Sequence, residues 1–159
     1  YCIFDKDTVM YKQILCPVDG SSSSKRGMVE AIQLAKDQNA KLRFLHVVDT
    51  FYPMMDVTAG LNVIEIAEAL NKNGKKILKK AVDAAQKEGL TAEAEIRESV
   101  GEAVAQFIVS EAKKWPADLI VMSTHGLRGI SRLVMGSDAE TVVRTSHVPV
   151  LLVRSQAKS

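Results

Sequence analysis

Only two cysteines and four prolines occur in 159 residues, aromatics make up 5%, and 21 basic side chains stand against 19 acidic ones. Each shortage removes a class of protein. Cys2 and Cys16 make neither a CxxC motif nor a disulfide framework, which suits a reducing compartment, and Cys16 inside an apolar run is expected to be a small buried hydrophobe. A formal charge of +2 spread along the chain leaves no electrostatic footprint for a nucleic-acid backbone. No apolar stretch approaches the roughly 18 residues that a membrane-spanning helix needs. Residues 1–9 lack the basic and apolar segments of a secretory signal, so we expect a cytoplasmic protein. Met10 reads as the natural start, with residues 1–9 a leader, residues 10–155 one domain and residues 156–159 a tail.

What is present is an ordinary globular composition, 47% hydrophobic and 25% charged, in which apolar runs alternate with helical periodicity. Residues 14–18, closed by Asp19-Gly20 and four serines, read as a buried strand running into a helix start. Met28, Ile32 and Ala35 then recur at helical spacing up to Asn39. Residues 42–48 read as a second strand and residues 49–60 as a long loop. A second helix over about residues 61–88 carries Ile66, Leu70, Ile77, Ala81 and Ala85 on one stripe, with Gly74 weakening its middle by about 1 kcal/mol relative to Ala.

Residues 92–100 alternate small or apolar with charged side chains, the pattern of a half-exposed strand at a sheet edge. Ala103, Val104, Phe107, Ile108 and Ala112 mark a third helix, stopped near Trp115-Pro116 because proline disfavours helix in the residue before it. Residues 118–122 are the fourth strand. Ala139, Val142 and Val143 continue a short fourth helix capped by Gly136 or Ser137, and residues 148–153 a fifth strand that Pro149 assigns to an edge or a strand start. Alternating strands and helices without repeats specify one doubly wound α/β domain, a five-stranded parallel sheet flanked by four helices.

Residues 122–138 concentrate the chemistry. Gly126, Gly129 and Gly136 lie between a strand and a helix start, with His125, Arg128 and Arg132 among them and no acid from residue 119 to residue 137. Glycines let backbone N–H groups approach a ligand, and a helix start leaves such groups unpaired, so the stretch suits a phosphate; a plain tight loop is the other reading. In an open parallel sheet, ligands bind beyond the carboxyl ends of strands where the strand order reverses. If the first and fourth strands are neighbours, Asp19 faces this loop, to accept from ribose hydroxyls or help hold a metal; otherwise it caps the turn. Ser21 to Ser24 read as helix caps first. His46 reads as an interior residue, and Val47 and Val100 as walls for a planar base.

Three features together resemble the universal stress protein family: Ile-Leu-Cys-Pro-Val-Asp-Gly-Ser at residues 14–21, Leu-His-Val-Val-Asp at residues 45–49, and the glycine loop followed by Val-Pro-Val-Leu-Leu-Val at residues 148–153. Gly126, nine intervening residues, then Gly136-Ser137 match the latter part of the family's nucleotide motif, G-x2-G-x9-G-[S/T]. The resemblance implies an adenine nucleotide alpha hydrolase-like fold with strand order 3-2-1-4-5 and a cleft for ATP at the ends of the first and fourth strands. Asp19 would hold the ribose or a phosphate-bound Mg²⁺. Pro17 and Val18 would border the nucleoside, Val47 and Val100 would flank adenine, and Met122, Ser123, Gly126, Gly136 and Ser137 would line ribose and phosphates. His125, Arg128, Gly129, Arg132 and Asp138 complete the candidate set. The resemblance also implies a homodimer joined through the last strand. Ser123 stands where the motif has its first glycine, and Asp138 puts an acid where phosphate would lie, which Arg128 and Arg132 can offset.

The expected function is a stress-responsive, cytoplasmic ATP-binding protein with little or no turnover, because no arrangement demands catalysis and the lysine-bearing phosphate loop is absent. A nucleotide-independent homodimeric interaction module, or a slow ATPase or phosphotransfer protein, are the alternatives. A phosphoacceptor receiver domain fits poorly, since it needs an acidic pair after its first strand and an aspartate ending its third.

Overall fold

The computed structural model describes residues 10–50, 63–125 and 135–154. Period-two alternation sorts the strand side chains onto two apolar faces. In β1 (Gln13–Pro17), Ile14 and Cys16 join one buried cluster and Leu15 the other. In β2 (Lys41–Asp49), Leu42 and Phe44 oppose Leu45, and in β4 (Leu119–Ser123), Leu119 and Val121 oppose Ile120 and Met122. Strands apolar on both faces belong inside a parallel sheet covered by helices on each side.

The sheet is five-stranded in the order β3-β2-β1-β4-β5, and every pairing is parallel. β3 (Ala92–Ser99), with its charged alternate positions, lies at one edge as its pattern requires. β5 (Val150–Val153) lies at the other. It is shorter than the expected residues 148–153, pairing opening at the Pro149 carbonyl, which accepts from Ile120 N–H at 3.0 Å. The strand order reverses between β1 and β4, which pair directly, so the expected adjacency holds and a crevice opens beyond their carboxyl ends.

α1 (Ser22–Gln38) and α2 (Val63–Lys87) supply Ala31, Ile32, Ala35, Leu78, Ala81 and Ala85 to the first cluster. α3 (Val104–Lys114) and α4 (Ser137–Thr145) supply Ala105, Ile108, Ala112, Ala139 and Val142 to the second. α1 starts where Ser21 Oγ accepts from Ser24 N–H at 3.0 Å. It stops at Asn39, whose left-handed conformation (φ 51°) lets Ala40 N–H reach Ala35 O at 2.8 Å. Val143 falls within α4 as expected and is 45% exposed.

Gly74 has a use that local propensity did not anticipate. It is buried, and a Cβ built there would stand 2.7 Å from His46 Cδ2 and 3.0 Å from Ile96 Cδ1. Its bare backbone is what lets α2 lie on β2 and β3. On the opposite face a buried carboxylate, Glu111 of α3, binds Arg43 Nη1 of β2 at 2.8 Å and Arg97 Nη2 of β3 at 2.7 Å. Burial works to raise the Glu111 pKa, but hydrogen bonds from Arg97 and Arg43 and their charges outweigh it and hold the carboxyl below its ordinary range. Arg43 also pairs with Glu93 and stacks 4.6 Å from the Trp115 ring centroid.

Candidate functional site

Beyond the carboxyl ends of β1 and β4 lies a cavity of about 860 Å³, within the size range of small-molecule sites. β1 and the turn after it supply Pro17, Val18 and Asp19, and β2 supplies Leu45, His46, Val47, Val48 and Asp49. β4 and the residues after it supply Met122, Ser123, Thr124 and His125, and the start of α4 supplies Gly136, Ser137, Asp138 and Ala139. Ser24 of α1, Leu70, Asn73 and Ile77 of α2, residues 101–104 and Ile108 of α3 complete the described wall.

Local hydrogen bonds set this wall. Asp19 Oδ1 accepts from Ser21 N–H at 2.8 Å, while Asp19 N–H donates to Ser24 Oγ at 3.1 Å. Asp19 therefore braces the turn into α1, and the same residue lines the cavity. His46 is 8% exposed and donates from Nδ1 to Val18 O at 2.7 Å, the interior role expected of it, although one side of the ring borders the cavity. Cys16, one residue before Pro17, has its thiol pushed far up by burial, so it packs and offers the cleft no thiolate.

Backbone hydrogen bonds tie Thr124, just after β4, to β5 and to the start of α4. Thr124 N–H donates to Val153 O at 3.1 Å, and Gly136 N–H donates to Thr124 O at 2.8 Å. A Cβ on Gly136 would meet Thr124 O at 3.2 Å, so this approach requires glycine or a displaced loop. Gly136 is the N-cap and, having no side chain, caps none of the first-turn N–H groups, which lie beside the cavity. Ser123 donates its hydroxyl to His125 O at 2.7 Å, and the Thr124 hydroxyl lies 2.9 Å from His125 Nδ1. His125 Nε2 is buried without a hydrogen-bond partner among the described residues.

Of the candidate residues, the fold brings together Pro17, Val18, Asp19, Val47, Met122, Ser123, His125, Gly136, Ser137 and Asp138. Val100 stands apart: the chain turns at Gly101 (φ 93°), leaving Val100 74% exposed and outside the lining while residues 101–103 border the cavity. Gly126, Arg128, Gly129 and Arg132 lie outside the described residues. Sequence reasoning passed over Thr124, Glu102 and Asn73. Thr124 and Glu102 follow strand ends, and Asn73 is a polar residue between Leu70 and Ile77 on the inner stripe of α2, a usable signal. Among the described lining residues four carboxylates occur, Asp19, Asp49, Glu102 and Asp138, and no lysine or arginine.

Residues 10–154 match the model of the universal stress protein family. A universal stress protein of Methanocaldococcus jannaschii is 38% identical over 149 residues, spanning 94% of this chain and 85% of that protein. Among solved structures, universal stress protein UspA of Lactobacillus plantarum gives a TM-score of 0.78 at 25% identity, over 91% of this chain and 98% of that one. A universal stress protein solved in complex with cAMP gives 0.64 at 31% identity, over 91% and 97%.

Proposed function

The chain belongs to the universal stress protein family, and from that premise we propose that its cleft holds an adenine nucleotide with little or no turnover. The observation that carries this reading is the start of α4. A helix N-terminus with a glycine cap opens on a cavity of nucleotide size, at the reversal of strand order. Val47 and Met122 offer apolar surface for the base, Asp19 accepts from ribose hydroxyls, and the first-turn N–H groups of α4 receive phosphate. The cAMP complex of a 31% identical relative supports the ligand class. The spacing of Gly126 and Gly136-Ser137 suggests ATP within that class.

Among the described residues no three His, Cys, Asp or Glu side chains converge as a metal site. A Mg²⁺ ion would fit as a companion of the phosphates, with Asp19 as its protein contact, and would neutralise phosphate charge. A stress-related role in the cytoplasm and pairing of two copies through the β5 edge complete the proposal.

The test is mass spectrometry of whatever the purified, heat-denatured chain releases, together with its melting temperature with and without added adenine nucleotide. A released adenine nucleotide and a raised melting temperature are expected; ligand at about 100 times its Kd stabilises by about 2.7 kcal/mol. The absence of both release and shift would overturn the reading. The alternative of a nucleotide-independent interaction module draws on Ser123, which fills a motif glycine position and spends its hydroxyl on His125 O.

A further inference from the structure

We infer that Asp138 is a specificity-determining residue of this cleft, its carboxylate weakening the binding of free ATP more than that of an adenosine monophosphate ester. The inference rests on the adenine-nucleotide reading above and refines its ligand. Asp138 is exposed, lies in the first turn of α4 two residues after the Gly136 cap, and lines the cavity. Glu140 adds a second acid to that turn. Both carboxylates already occupy the favourable field of the helix N-terminus, which would otherwise be available to a ligand phosphate.

Glu102 adds a further negative group on the wall. A phosphate reaching the N–H groups of α4 therefore gains hydrogen bonds but meets Asp138. One phosphate makes that encounter once, whereas a triphosphate brings about two more charges into the same mouth. Each further like charge brought near a carboxylate in a largely wet setting weakens binding by roughly threefold, so the Asp138 charge costs ATP about tenfold relative to AMP.

Isothermal titration of adenosine, AMP and ATP in magnesium-free buffer tests this, on the full chain and on Asp138→Asn and Glu140→Gln. Asparagine keeps the shape of the side chain and removes its charge. Asp138→Asn should improve ATP about tenfold relative to AMP and leave adenosine nearly unchanged. Glu140→Gln removes a charge from the same turn but outside the lining, and should move the ratio less than about threefold. Raising the salt concentration should shrink the effect of Asp138→Asn on that ratio by screening. An AMP-to-ATP ratio that Asp138→Asn leaves unchanged, with binding intact, would overturn the role of Asp138 alone. Failure of all three ligands to bind any variant would overturn the adenine-nucleotide reading itself, and this inference with it.

Discussion

Replacing Gly74 by alanine sets two effects of opposite sign against each other. Helix propensity alone favours the change by about 1 kcal/mol, since glycine inside a helix exposes backbone and loses more conformational freedom on folding. Against it stands the imidazole of His46, 2.7 Å from the added methyl, with Ile96 Cδ1 at 3.0 Å. The isoleucine terminus can rotate away. The histidine cannot do so cheaply, because its Nδ1–H is bonded to Val18 O at 2.7 Å and the residue is 8% exposed. Overpacking of this kind costs about 1–3 kcal/mol. The overpacking term wins, and Gly74→Ala is expected to destabilise the chain by up to about 2 kcal/mol.

Urea unfolding followed by the fluorescence of Trp115 measures this directly, since Trp115 is the sole tryptophan and is 8% exposed. The decisive comparison is a double-mutant cycle with His46→Ala. In that background the added methyl enters vacated space, and the same substitution becomes neutral or stabilising by up to about 1 kcal/mol. A Gly74→Ala chain more stable than wild type, or an effect equal in both backgrounds, would refute the contact argument.

Glu111→Gln leaves Arg43 and Arg97 without their shared carboxylate and should cost about 2–3 kcal/mol, measured by the same unfolding assay. Because the folded pKa of Glu111 lies below the ordinary 4.5, its contribution is fully present above that value and fades as pH falls through the folded one. Wild-type stability should thus drop more steeply than that of Glu111→Gln below about pH 4.5. Ser21→Ala removes the acceptor for Ser24 N–H and should lower stability by about 1 kcal/mol. Gly136→Val crowds Thr124 O and should abolish adenine-nucleotide binding in titration while circular dichroism shows the fold retained; undiminished binding would argue against the placement of phosphate at α4.

The strands were legible because their patterns are local. Ile14, Leu15 and Cys16 have to be buried on two faces, and the charged alternation of β3 has to meet water on one side. Gly74 was legible only as a weak helix position, since propensity carries no information about the side chain a helix lies on. The Arg43 to Glu111 bond joins residues 68 apart in sequence, and no periodicity announces it. At the site, strand-end logic found Asp19, Val47, Met122 and Ser123, because strand ends are visible in sequence and the cavity lies beyond them. It placed Val100 by the same rule and missed the outward turn at Gly101. Asn73 escaped because the angle at which α2 crosses the cleft depends on packing.

The Glu111 cluster also carries information that a hydrophobic core cannot. β3 presents small residues on one face and charges on the other, a pattern that specifies strand alignment weakly. A slip of one residue against β2 would turn Arg97 to the face covered by α1 and α2, out of reach of Glu111. The ion pair therefore acts as an alignment key, penalising a mispaired sheet more than it rewards the correct one. Glu93, Glu95 and Arg97 along the same margin further discourage a foreign strand from adding to it.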